Sequence, residues 1–175
     1  IEKDRSLISI LKNKYRNKKK ITIIEEDILK YDLSKFKKII IISNLPYNIS
    51  TKIILYLFRY NKNIVEMIFM IQKEVAEKFD YNLPKMNKYK FLTSIFSIYT
   101  RCFNVSPKVF IPKPKVKSTV VKFRLNNNDI DFKRAENFSK LIFKNVRKKI
   151  YKNIKLEDTN EILFNKRVNE LEIQD

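Results

Sequence analysis

Within four positions, Asn44-Leu45-Pro46-Tyr47 sets an amide, a proline-stiffened backbone and a phenol ring one residue, Ser43, after the aliphatic run Ile39–Ile42. An amide side chain can accept and donate hydrogen bonds, and a phenol offers a flat apolar face with a polar tip. Three carboxylates, Glu25, Glu26 and Asp27, follow a second aliphatic stretch, Ile21–Ile24, and by residue type alone they are equal candidates for binding or a solvated strand end. The chain has no histidine, which excludes a His-based catalytic triad and a zinc site. Its one cysteine, Cys102, can make no internal disulfide and reads as an ordinary core or strand residue. There is no glycine at all, so neither a Gly-x-Gly-x-x-Gly dinucleotide loop nor a Walker loop exists in these residues.

The elements that must hold these groups follow from hydrophobic spacing. Four successive branched residues, Ile39–Ile42, predict a strand buried on both faces, and Pro46, which has no N–H, ends the ladder. Ser50 or Thr51 then caps a helix to about Tyr60 with Ile53, Ile54, Leu57 and Phe58 inside. Asn44 and Tyr47 therefore sit on a strand-to-helix turn at the carboxyl edge of an expected parallel sheet, where open α/β folds place ligands. Upstream, Asp4 caps an amphipathic helix over residues 4 to 16, with Leu7, Ile8, Leu11 and Tyr15 on one side. Lys18-Lys19-Lys20 closes it with charge that suits a helix carboxyl end. A short strand at Ile21–Ile24 and a helix or turn at 29–36 complete a strand-helix alternation. Downstream come a strand at Met67–Ile71, a helix at Gln72–Phe79, a polar loop to Asn87 and a helical segment from Lys88 to about Ile98. Late strands follow at Thr100–Val105 and Lys117–Leu125, separated by an extended loop stiffened by Pro112 and Pro114. Asn126–Asp129 reads as a linker, and the remainder, with Phe138, Leu141, Ile142 and Val146 and then Ile162 and Leu163, as helical.

With 175 residues, 44% of them hydrophobic, the chain can bury a core. A formal net charge of +19 points to a polyanionic partner, nucleic acid or an anionic surface, although abundant Ile, Lys and Asn without glycine is also what an AT-rich genome imposes. No apolar run approaches the roughly 20 residues that span a bilayer, and a cytoplasmic protein is expected. The first residue is Ile1, and a missing amino-terminal piece is expected as well.

Four motifs occur in order: Asn44-Leu-Pro-Tyr-Asn-Ile-Ser50, Gln72-Lys-Glu-Val-Ala76, Phe110-Ile-Pro-Lys-Pro-Lys-Val-Lys-Ser118 and Val146-Arg-Lys-Lys149. In order and spacing they resemble the bacterial small-subunit (16S) ribosomal RNA adenine N6-dimethyltransferases, over nearly the whole chain. That resemblance implies an α/β fold, a Rossmann-like methyltransferase sheet with helices on both faces over residues 1–125, and a small α-helical C-terminal domain over 126–175 that docks on rRNA. The first strand and glycine-rich loop of the family pattern are absent, the chain starting near the second strand.

The implied reaction is transfer of methyl groups from S-adenosylmethionine to N6 of two adjacent adenines near the 3′ end of 16S rRNA, on a monomer using neither metal nor membrane. In it Asn44 and a backbone carbonyl at Leu45 or Pro46 accept the two N–H groups of the amine, while Tyr47 and Phe110 are the faces of the base pocket. Glu2 holds the donor's ribose hydroxyls, and Asp27, with Ile28 beside it, holds the donor's adenine, Asn44 also facing the donor. Lys108, Lys113, Lys115 and Lys117 along the loop, and Arg147, Lys148, Lys149 and Lys152 on a late helix, are the expected phosphate contacts. Two positions depart from the pattern: Tyr89-Lys90 stands where a Tyr-Gly pair is frequent, and Lys113 where proline is usual. The rival readings are a non-catalytic RNA-binding assembly factor or remnant, and a 23S rRNA adenine methyltransferase.

Overall fold

The structure, a computed structural model, describes residues 1–153 and 166–171. Ile162 and Leu163 lie outside them. The chain forms two compact units, residues 1–36 and 37–175, so that residues 37–125 and those after the Asn126–Asp129 segment share one unit.

In the first unit, helix α1 (Arg5–Tyr15) starts at Asp4, whose carboxylate accepts the Ser6 N–H and so satisfies an amide with no intrahelical partner. The strand expected at Ile21–Ile24 is reduced to one parallel bridge, Glu2 to Glu25, with Glu2 donating to Ile24 O at 2.9 Å and Glu26 donating to Glu2 O at 3.0 Å. Residues 27–36 are turns, opened by Lys30 and Tyr31 N–H groups on Asp27 O.

The second unit is built on a four-stranded sheet in the order β1-β2-β4-β3. Strands β1 (Ile39–Asn44) and β2 (Ile64–Gln72) are parallel. The later strands β3 (Ser97–Val105) and β4 (Ser118–Leu125) form an antiparallel pair, and β4 also runs antiparallel to β2, so the sheet is mixed rather than parallel. A hairpin loop joins the last two strands with no crossover helix between them, which forces the antiparallel sense.

Helices α2 (Ser50–Phe58), α3 (Lys73–Phe79), α4 (Lys88–Phe96) and α5 (Phe132–Ile142) bury their apolar sides on one face of this sheet. The anchor is Phe123 of β4, whose ring meets Phe58, Phe79, Phe69 and Tyr99 at centroid separations between 5.2 and 6.3 Å. Phe58 also stacks on Phe96, and Phe96 meets Phe132, which draws α5 onto the same layer. On the opposite face Ile40 and Ile42 are 60% and 75% exposed. The expectation of a strand buried on both sides therefore fails for β1, which among the described residues is an edge strand paired with β2 alone and whose side chains alternate between helix layer and open face. Cys102 likewise lies in a strand as expected but is exposed, because a bulge between Arg101 and Phe103 leaves it without a partner on β4.

After α5 the chain turns rather than continuing as a helix. The Asn153 amide donates to Ile142 O, the last carbonyl of α5, and to Asn145 O of the turn after it, at 3.0 and 3.2 Å. Arg147 and Lys148 are consequently on turns, Lys149 bridges Arg167, and Lys152 is in a single 3-10 turn. The late helix expected to carry these four cations is absent. A small apolar cluster of Ile142, Ile150 and Val168, flanked by Phe143 and Leu171, holds the turns together.

Candidate active site

The carboxyl end of β1 opens into a cleft of about 380 Å³ lined by Asn44, Leu45, Pro46 and Tyr47 on one side and Phe110, Ile111, Pro112 and Pro114 on the other. The sequence motifs from residue 44 and residue 110 thus meet in space. Leu45 N–H extends the ladder by donating to Met70 O at 3.2 Å, and its side chain is buried, which fixes the turn to the sheet. Pro46 O accepts Ile49 N–H at 3.2 Å, whereas among the described residues the Leu45 carbonyl accepts no hydrogen bond. The Asn44 amide is exposed and likewise makes none. Ser50 does not cap α2 with its hydroxyl. It is the first helical residue, Ile49 stands at the cap position without a side-chain bond, and Ser50 Oγ donates back to Tyr47 O at 3.2 Å.

Tyr47 is held by a contact the sequence reading missed. Its hydroxyl lies 2.8 Å from Ser118 Oγ, and Ser118, the first residue of β4, is wholly buried. Ser118 pairs with Gln72 across the β2–β4 ladder, so this bond ties the turn after β1 to the loop before β4. The one signal for it was the position of Ser118 at the end of the Phe110 motif.

The cations of the 106–117 loop are all exposed. Lys115 and Lys117 border a second cleft, of about 310 Å³, with Gln72, Lys73, Glu74 and Glu77, and Lys117 O accepts Lys73 N–H at 2.9 Å. Among the described residues Lys108, Lys113, Lys115 and Lys117 have no carboxylate partner. Arg147, Lys148, Lys149 and Lys152 are exposed on the turns after α5.

The acidic candidates lie in the first unit. Glu2 Oε1 accepts the Lys3 and Asp4 N–H groups at 2.7 and 2.9 Å, leaving Oε2 without a described partner. Asp27 accepts Leu29 N–H through Oδ1 and pairs with Lys3 Nζ through Oδ2 at 2.9 Å. The Lys3 hydrogen bond is the main reason its pKa is lowered, with the Leu29 amide adding to it, so Asp27 is held anionic. Ile28, next to it, is partly buried. Glu25 is paired with Arg5 at 3.1 Å and Glu26 accepts Asp27 N–H at 3.0 Å. Lys90, at a departure from the family pattern, is buried in α4 and donates to Leu83 O and Pro84 O at 2.7 Å each, burial lowering its pKa.

The Rossmann-like α/β sheet that carries this aromatic-lined cleft at a strand's carboxyl end is an arrangement the protein shares with solved methyltransferases. The solved dimethyladenosine transferase of Plasmodium falciparum superposes with a TM-score of 0.80 at 21% identity, over 99% of this chain and 76% of that one. The 23S rRNA methyltransferase ErmE superposes at 0.71 and 20% identity, over 87% and 63%. By sequence, the chain belongs to the ribosomal RNA adenine dimethylase family, whose model matches residues 1–173. It is similar to the ribosomal RNA small subunit methyltransferase A of Malacoplasma penetrans strain HF-2, 38% identical over 163 residues covering 89% of this chain and 58% of that protein. The protein of the same name from Hydrogenobaculum sp. strain Y04AAS1 is 34% identical over 178 residues, covering all of this chain and 68% of its own length.

Proposed function

We propose that this protein transfers methyl groups from S-adenosylmethionine to N6 of two adjacent adenines near the 3′ end of 16S rRNA, as a cytoplasmic monomer acting on maturing small subunits. The observation that carries the reading is the cleft in which an unengaged Asn44 amide stands beside Tyr47 and opposite Phe110.

An adenine amine is a poor nucleophile because its lone pair is delocalised into the ring. The Asn44 side-chain oxygen and the Leu45 carbonyl accept its two N–H groups and localise that pair. Leu45 is the better of the two backbone acceptors, since the Pro46 carbonyl already serves Ile49. Tyr47 and Phe110 receive the base once it leaves its stack. When bound, S-adenosylmethionine supplies a sulfonium-activated methyl group. Glu2 offers its open Oε2 to the ribose hydroxyls, and anionic Asp27, beside Ile28, accepts from the donor's adenine amine; both are acceptors with the chemistry the donor needs. The alkylated nitrogen is a strong acid and gives its proton to water, so the absence of histidine costs the reaction nothing. Lys108, Lys113, Lys115 and Lys117, with Arg147, Lys148, Lys149 and Lys152, contact phosphates and set the register of the RNA.

The names of the sequence relatives favour the small subunit over the 23S substrate of ErmE. Asn44→Ala tests the chemistry: methyl transfer to unmodified small subunits falls to background while RNA binding persists. Full activity in that variant refutes the mechanism, and a wild-type protein that binds subunits but never methylates them identifies an assembly factor instead.

A further inference from the structure

The charge of the first unit is segregated. Its carboxylates occupy Glu2, Asp4, Glu25, Glu26, Asp27 and Asp32, and from Arg5 to Ile24 there is no Asp or Glu at all. Within that acid-free stretch stand Arg5, Lys12, Lys14, Arg16, Lys18, Lys19 and Lys20. Two of the cations near the carboxylates are paired, Lys3 with Asp27 and Arg5 with Glu25. Those at the far end of α1 are not. Lys14 lies 5.4 Å from the Tyr15 ring, and among the described residues Lys12, Arg16, Lys18, Lys19 and Lys20 meet no carboxylate.

These five side chains are exposed on an ordered backbone. Arg16 N–H donates to Asn13 O, Lys18 N–H to Tyr15 O at 2.9 Å and Ile21 N–H to Lys18 O at 2.9 Å, so Lys12 stands in the last turn of α1 and the other four cations ride on the turns that follow it. One or two positive charges satisfy a helix carboxyl terminus, whose field fades within its last turn. Five unpaired cations go beyond that need.

We propose that Lys12, Arg16, Lys18, Lys19 and Lys20 form a second docking surface for the phosphate backbone of ribosomal RNA, one helix length, about 16 Å, from the Glu2 end of α1. The inference rests on the reading of RNA as substrate and adds a surface that none of the loop or C-terminal cations provides. RNA is favoured over an anionic membrane because four of the five cations lie between Arg16 and Lys20, on turns that hold no apolar side chain, whereas a membrane-lying helix spreads them beside a continuous apolar stripe.

The test is a variant with Lys12, Arg16, Lys18, Lys19 and Lys20 all changed to Gln, assayed for binding to unmodified small subunits across a salt series. Each lost phosphate contact removes about 0.7 to 0.9 from the slope of log affinity against log salt. Five contacts flatten it by up to about 4.5, with weaker binding, while kcat at saturating subunits stays at the wild-type value. A companion variant with Lys12, Lys18, Lys19 and Lys20 changed to Arg keeps the charge and the wild-type slope, which separates charge from a folding defect. An unchanged slope in the Gln variant overturns the proposal, as does loss of binding to phosphatidylglycerol vesicles with RNA binding intact. A wild-type protein that methylates subunits while the Gln variant matches its slope refutes only this surface. A wild-type protein that binds no RNA refutes the functional reading beneath it.

Discussion

The bond between Tyr47 and Ser118 supports a prediction whose two halves are unequal. Ser118 Oγ is wholly buried and has the Tyr47 hydroxyl, 2.8 Å away, as its described partner, whereas Tyr47 is only half-buried at the wall of the cleft. Changing Tyr47 to Phe strands a buried hydroxyl, which costs about 1–3 kcal/mol. Changing Ser118 to Ala leaves a phenol that can turn to water, and costs about 0.5–1.5 kcal/mol, the net worth of one hydrogen bond. The double variant removes both partners together, so its loss is near that of the milder single change, and the coupling energy is then that of the larger one, about 1–3 kcal/mol, by the logic of a double-mutant cycle.

Urea unfolding of the four proteins measures these terms as shifts in midpoint at constant slope. The same bond fixes the ring on which the proposed function rests the base, so on that proposal methyl transfer to small subunits falls in Ser118→Ala through kcat more than through KM, and Ser118→Thr, which keeps the hydroxyl, restores it. Additive losses in the cycle, or Ser118→Ala costing more than Tyr47→Phe, refute the reasoning.

Two further outcomes follow from the same structure. Phe123→Ala empties the centre of the layer shared by Phe58, Phe69, Phe79 and Tyr99 and destabilises the protein by about 3–5 kcal/mol, read from urea unfolding; a loss below about 1 kcal/mol contradicts that core. Asp27, its pKa lowered by Lys3, is deprotonated in the fold at pH values where the unfolded chain binds a proton, so its contribution to stability is present above the usual aspartate value of about 3.9 and is lost as pH falls through the lowered folded value. In Lys3→Met, NMR titration finds the Asp27 carboxyl moved up toward that usual value; an unmoved titration means that Lys3 is not its partner.

What the sequence made legible is what short-range spacing controls. Ile53, Ile54, Leu57 and Phe58 were placed on the inner side of one helix and all four are buried, and Asp4 was placed as a cap and caps α1. Meeting of the Asn44 and Phe110 motifs was expected from the family resemblance, and they share a cleft. The failures belong to long-range pairing. A run of four isoleucines has no polar residue to mark a face, so the exposure of Ile40 and Ile42 depended on helices α2–α5 all packing on the other face of the sheet. Ile21–Ile24 has the composition of a strand but makes only one bridge beside it. The cations at 147–152 left their helix because Asn153 folds back on its end, and Ser118 reaches a tyrosine 71 residues away.

The absence of glycine shows how the same architecture is kept by other means. Lys38 and Lys85 take positive φ angles of 56° and 63°, a region where a residue with a Cβ pays about 1–2 kcal/mol and glycine pays little. Lys38 sits immediately before β1 and Lys85 in the loop that joins α3 to α4. In the second case the structure supplies a counterweight. The buried Lys90 ammonium binds the carbonyls of Leu83 and Pro84, the two residues just before Lys85, and charge-assisted bonds of about 1.5–3 kcal/mol each are of the size needed to hold that turn. Lys90 stands where the family pattern often has glycine, so a residue that reads as a defect in the motif is, in the fold, a tether for a strained loop. Departure from a motif and loss of the structure behind it are therefore separate matters here, because the chemistry of one side chain substitutes for the conformational freedom of another.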